Sequence, residues 1–314
     1  MATTCRFSGS APVDHVCAQI LDLLLPHRRS VDHLAHHDRC SFAPQLEQLA
    51  QFVSAGDPVI FTLPGFPCKS PNPAKVLGHL PDHGEVLSLR FLDALCERVG
   101  EVHPPGARLI ICSDGHIFGD VIGVPDNDID AYSDELKLMI EEQGLTHLSV
   151  FDLRNVFEAP LTYDEKRAQV VAAHGPSVEE VRSLVKSDDN VTHLYRGITR
   201  FLVEDTSDFA GSKSALQRDC RRRAYGVIQR STAWGELVAA HHPRSVRLSI
   251  HPQPVGAVKF GIRLLDAEDA WTTPWHSVLV VDARDEPRLM RRDEAEMVAE
   301  LVRVDDRPSH FRIG

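Results

Sequence analysis

Apolar and polar positions divide the chain into two halves. The first alternates short apolar runs with helical stripes, and the second is dominated by long helices. Residues 13–25 carry apolar side chains at 13, 16, 20, 23 and 24, the spacing of one helix face, and Pro26 stops the pattern. A short helix is expected at 44–55, ended by Gly56. Val59-Ile60-Phe61-Thr62-Leu63 and Leu109-Ile110-Ile111-Cys112 are nearly unbroken apolar runs, which predict strands buried on both faces, as in a parallel sheet. Between them, 85–102 offers Leu87, Leu89, Phe91, Leu92, Leu95 and Val99 to a buried helix face, and strand–helix–strand makes a right-handed crossover. A helix through 130–142, ended by Gly144, leads to a third strand at 148–153. Helices follow at 163–174, 178–186, 190–204 and 212–241, the last weakened at Gly226 and Gly235. Strands return at 246–252, 259–265 and 277–281, and 292–302 closes as a helix. The expected fold class is therefore α/β: parallel core strands in a mixed sheet, helices on both faces, and a helical C-terminal half that returns strands to the sheet. Residues 1–56 are expected to pack as a helical segment on a catalytic unit spanning 57–314.

The first two strands both run into distinctive loops. After Leu63 comes Pro64-Gly65-Phe66-Pro67-Cys68-Lys69-Ser70-Pro71-Asn72-Pro73, with four prolines that fix φ at four points. A stiff loop carrying Lys69 and Ser70 at the carboxyl end of a strand suits holding an anion; the alternative is a rigid connector with Lys69 in solvent. After Cys112 the chain breaks at Ser113-Asp114-Gly115-His116. Ligands of open α/β sheets bind at this edge. The alternative here is a polar turn in which Asp114 caps the next segment.

The net charge of −11 argues against a nucleic-acid partner, which would want a basic face. Seven cysteines are scattered with no CxxC, the pattern of thiols in a reducing cytoplasm rather than of a disulfide framework or zinc ribbon. The N-terminus shows no leader-like apolar stretch, and no apolar run approaches the ~20 residues of a membrane span. His33 and His37 stand at zinc-ligand spacing if helical, but without an HExxH pattern or a cysteine partner.

Several long segments then carry a resemblance. PCKSPNPAKVLGHLPDHGE at 67–85, ICSDGHIFGDVIGVPD at 111–126, VRLSIHP at 246–252, KFGIRLL at 259–265 and TPWH at 273–276 resemble the pyoverdine/dityrosine biosynthesis family, the isocyanide (isonitrile) synthase group. The match covers about 57–295. The resemblance implies a Rossmann-like fold, although no dinucleotide motif is present. It also implies a lyase-type reaction in which the α-amine of tyrosine or tryptophan condenses with the ketone of ribulose 5-phosphate, whose C2 becomes the isocyanide carbon. No metal or organic cofactor is implied, and a partner iron/2-oxoglutarate oxygenase usually acts on the product. Some fungal relatives of this kind look like makers of N-formyl-tyrosine, so that branch stays open. So does a non-enzymatic carrier built on the histidines. A homodimer is the default assembly.

Such chemistry needs cations for a phosphate and a carboxylate, groups that move protons near neutrality, and exclusion of water. Asp114 and His116 are the expected proton-transfer pair, with Asp120 as an orienting carboxylate. His251 and His276, both in segments that carry the resemblance, form a second pair. Lys69, Ser70, Arg247 and Lys259 are the expected anion holders. Arg218, Arg221 and Arg222 share a face at i,i+3 and i,i+4 and are an alternative phosphate clamp, unless they simply pair with surface acids.

Overall fold

The computed structural model describes residues 10–30, 39–267, 269 and 272–314. Helices α1 (Ala11–Leu24) and α2 (Ala43–Ala55) lead into β1 (Val59–Pro64), α3 (His83–Val102) and β2 (Ala107–Cys112). Next come α4 (Gly115–Ile122), α5 (Asp126–Glu142) and β3 (Leu148–Phe151). A helical stretch of α6 (Tyr163–His174), α7 (Val178–Ser187), α8 (Asp189–Asp205) and α9 (Lys213–His241) returns to β4 (Val246–Ser249) and β5 (Phe260–Gly261). The chain ends with β6 (Asp266–Ala267), β7 (Val278–Val281), β8 (Pro287–Met290), α10 (Arg292–Val298), β9 (Glu300–Val304) and β10 (Arg307–Arg312).

Strands β1 to β5 form one sheet in the order β3-β2-β1-β4-β5, with every neighbouring pair parallel. The order reverses between β1 and β4, and such a switch point opens a crevice at the carboxyl edge. Alternate residues of the buried strands feed opposite faces. Leu109 and Ile111 join Leu21, Leu46, Leu89 and Leu136 from α1, α2, α3 and α5. Ile110 and Cys112 join Val170, Trp234 and Leu237 from α6 and α9. Both faces are thus covered, and α1 and α2 share the core of the parallel sheet.

The helix boundaries have local causes. Asp82 accepts from the Gly84 N–H (2.9 Å) while Glu85 accepts from the Asp82 N–H (2.9 Å), a capping box that starts α3. Asp126 and Asp128, after Pro125, place negative charge on the first turn of α5, which begins four residues before the sequence expectation.

Strand β7 does not return to the parallel sheet. It founds a second sheet, β6-β8-β7-β10-β9, in which β10 and β9 form a hairpin where the sequence predicted helix to 302. Asp305 and Asp306, both at positive φ (48° and 62°), make its two-residue turn, a geometry more often signalled by Asn-Gly. The expected strand at 259–265 shrinks to two residues, and 115–122, expected as loop, is helix. Among the described residues Cys17, Cys68, Cys96, Cys112 and Cys220 are buried thiols. No helix among the described residues is long and apolar enough to cross a membrane.

Candidate active site

The loops after β1 and β2 meet at very close range. A side chain on Gly115 would place its Cβ 2.0 Å from the Pro67 carbonyl oxygen and 2.8 Å from Ile129, so only glycine lets the loops touch. The Ser113 hydroxyl donates to the Phe66 carbonyl (2.8 Å), and the Ser70 N–H donates to the Trp275 carbonyl (2.8 Å). Phe66 itself holds φ at 53°, a strained value for a bulky residue, with its ring buried 5.0 Å from that of Trp275.

Asp114 sits at this junction. It precedes α4 but its side chain makes no capping hydrogen bond, so the capping alternative does not hold. Enclosure by protein raises its carboxyl to about 7, against the opposing pull of its own backbone N–H and of Lys259. Lys259 is half-buried and is held below its ordinary value by burial and by Arg247, with Glu236 and Asp114 opposing. Among the described residues Lys259 makes no hydrogen bond or ion pair. Arg247 projects from β4, and its guanidinium donates to the Gly235 carbonyl of α9 (3.3 Å). Its head and the Lys259 ammonium converge on Gly235, each 3.9 Å from the point where a Cβ would stand. Asp114, just beyond the end of β2, therefore lies within electrostatic reach of Lys259, which precedes β5 and converges with Arg247 of β4 on α9.

The histidines flank it. His251 follows β4, open to water yet ringed by protein; desolvation, Arg29 and Lys259 push its imidazole down to about 4. His276 is also held well below its ordinary value, by burial first and then by Lys75, His251 and Lys69. Its Nδ1 lies 3.1 Å from the Thr273 hydroxyl, and the Phe201 ring meets it edge-on at 4.5 Å. Both rings are thus neutral near pH 7, able to accept protons but carrying no charge.

Other sequence candidates have different tasks. Lys69 is fully enclosed, donating to Asp82 (2.7 Å), Glu85 (2.8 Å) and the Pro274 carbonyl (3.0 Å). All three of its hydrogens are committed, so it fastens the proline-rich loop to the segment bearing His276 and is corrected from anion holder to loop anchor. Ser70 likewise donates to buried Asp205 (2.9 Å), which also binds Lys75 (2.7 Å). His116 turns away from Asp114: its Nε2 lies 3.1 Å from Asp130, its ring stacks on Tyr163 at 4.1 Å, and burial lowers its affinity for protons. Asp130, which also accepts from the Tyr163 hydroxyl (2.5 Å), orients it. Asp120, the expected orienter, is 42% exposed and pairs with Arg230 and Arg167. Arg218, Arg221 and Arg222 are exposed on the first half of α9, and Arg222 pairs with Asp219 (2.6 Å). Arg221 helps line a separate groove of about 430 Å³ with Arg196, Arg200 and Tyr195. Fourteen residues separate it from Gly235, roughly 20 Å along the helix, so this cluster is not part of the sheet-edge site.

Some residues that build the site escaped the sequence reading. Buried Arg29 donates to the Ile250 carbonyl (2.6 Å) and the Thr272 carbonyl (2.9 Å), tying down both histidine-bearing loops. Ser249 accepts from the His251 N–H (3.1 Å). The Asp82/Glu85 spacing was a legible capping-box signal; nothing local marked Arg29. His33 and His37 lie outside the described residues, and no group of three metal-ligating side chains is gathered among those described.

An α/β protein that gathers a perturbed carboxylate, two neutral imidazoles and two converging cations around its parallel sheet has the parts of a small-molecule enzyme. Residues 49–302 match the family model of the pyoverdine/dityrosine biosynthesis protein. An L-tyrosine isonitrile synthase from Pseudomonas aeruginosa is 46% identical over 312 residues, spanning 96% of this chain and 95% of that one. An L-tryptophan isonitrile synthase from Fischerella ambigua is 41% identical, over 94% and 91%. The crystal structure of PvcA from Pseudomonas aeruginosa superposes with a TM-score of 0.89 at 45% identity, covering 95% of this chain and 99% of that one. The chain belongs to the pyoverdine/dityrosine biosynthesis family.

Proposed function

We propose that the protein is an isocyanide synthase that converts the α-amine of an aromatic amino acid, tyrosine or tryptophan, to an isocyanide, with ribulose 5-phosphate supplying the carbon. The observation that carries this reading is the Asp114–Lys259–Arg247 arrangement. An amino acid is a zwitterion, and these residues offer cations to its carboxylate and, in ionised Asp114, a base able to take the proton from its ammonium. With an affinity near pH 7, Asp114 is poised to deprotonate the α-amine, which then attacks the ketone. His251 and His276, neutral in this range, serve the later proton transfers. The tightly joined β1 and β2 loops keep water from the imine. We further propose that the product is passed to an iron/2-oxoglutarate oxygenase.

The test is incubation with ribulose 5-phosphate labelled with ¹³C at C2 together with tyrosine or tryptophan, read by carbon NMR. A labelled isocyanide carbon is expected, and the amino acid that yields it names the substrate. Labelled formamide persisting after a hydrolysis control would redirect the assignment to the N-formyl branch, and no label transfer by folded protein would refute the sugar-phosphate reaction.

A further inference from the structure

Gly235 lies in the buried interior of a 29-residue helix, α9, where glycine is about 0.5–1 kcal/mol worse than alanine. Its φ is not in the left-handed region, so conformation gives no reason for it. Packing gives none either. At Gly115 and Gly261 a Cβ would strike backbone oxygens at 2.0 and 2.1 Å, whereas at Gly235 the nearest atoms are side-chain nitrogens at 3.9 Å, an ordinary contact. Those nitrogens are the Arg247 Nη2 and the Lys259 Nζ. Two like charges therefore face one bare patch of helix in a half-buried setting. Arg247 gives that Nη2 to the Gly235 carbonyl, and among the described residues neither cation has a carboxylate within ion-pair distance. Glu236 and Asp114 act on Lys259 only from beyond contact distance, and like charges brought together with no anion touching them are unfavourable until one does.

We propose that Gly235 is a specificity-determining residue that keeps open an oxyanion site between Arg247 and Lys259, shaped for a carboxylate or phosphate group of a substrate. An oxygen bonded to both heads at about 2.8 Å needs the space beside the bare Cα, which a methyl group would enter. The inference deepens the proposed function and rests on it for the source of the anion: the α-carboxylate of the amino acid or the phosphate of the sugar.

Gly235→Ala separates this role from a structural one because the two predict opposite signs. The variant is expected to melt at or above the wild-type temperature, since alanine favours helix, while the KM for one anionic substrate rises about tenfold. A rise confined to the amino acid assigns the carboxylate, and a rise confined to ribulose 5-phosphate assigns the phosphate. Unchanged KM for both, or a lowered melting temperature, would overturn the proposal. Should the wild type make no isocyanide, calorimetry with tyrosine and with inorganic phosphate still decides it: weaker binding of either to Gly235→Ala supports the site, and unaltered binding refutes it.

Discussion

Two lysines of this chain show how burial and partners assign a side chain its task. Lys69 neutralises Asp82 and Glu85 inside the protein, and Glu85 is itself raised to about 7, by burial first, with Lys69 opposing. Removing one member of such a group strands the others, at a cost of about 3–5 kcal/mol. Lys69→Met should therefore lower the melting temperature by about 5–8 °C, whereas Lys259→Met, which removes an unpaired half-buried charge, should melt no lower than wild type yet raise KM. Thermal melts alongside kinetics check both, and equal destabilisation by the two would refute the division. Asp114 gives a pH-dependent case. Its folded affinity, about 7, exceeds the unfolded value of about 3.9, so the fold favours its protonated form. The associated stability is present below pH 4 and is lost as pH rises through 7. Asp114→Asn should thus match wild type in stability at pH 4 and exceed it at pH 8 by about 1–3 kcal/mol after allowance for solvent screening, with turnover down about 10²–10⁴-fold. Urea unfolding at the two pH values tests the sign.

At the scale of elements, the site depends on loops pressed together more tightly than ordinary packing allows. Gly115 is where this is decided, since any Cβ there meets the Pro67 carbonyl. Gly115→Ala should force the β1 and β2 loops apart, costing several kcal/mol and at least 10²-fold in turnover; near-normal values of both would show that the contact is dispensable. The strands feeding these loops were legible because burial on both faces writes unbroken apolar runs, and Asp114 was legible by its place at the end of one; Arg247, Lys259 and the two outer histidines stood out within the segments that carry the family resemblance. The pairing of Asp114 with His116 was not. Residues two apart across the start of a helix point in different directions, and His116 is claimed by Asp130, fourteen residues on, and by Tyr163. Lys69 read as a free cation because its partners Asp82 and Glu85 act as helix caps in sequence and as counter-ions only in three dimensions. The second sheet was missed because its strands are short or exposed and its hairpin turn is Asp-Asp.

Across the whole molecule, the site is assembled from parts distant in sequence, and the N-terminal stretch outside the family match is one of them. Arg29 lies before residue 49, where that match begins, yet it reaches carbonyls more than 200 residues away at Ile250 and Thr272. The backbone around it is zipped to the edge of the parallel sheet, the Arg29 N–H donating to the Gly261 carbonyl (2.8 Å) and the Arg263 N–H to the His27 carbonyl (2.8 Å). Burial, with Arg263 near by, holds the guanidinium down to about 10, so it remains charged throughout the physiological range. A planar fork bonds two diverging carbonyls at once, whereas an ammonium on a shorter stem reaches one. Arg29→Lys should therefore keep the charge and the fold but release one loop. Turnover is expected to fall about 10–100-fold with a melting temperature within several degrees of wild type, and Arg29→Met should lose both stability and activity. Full activity in Arg29→Lys would mean that the histidine-bearing loops hold their places without the N-terminal segment, and that the catalytic unit is complete from β1 onward.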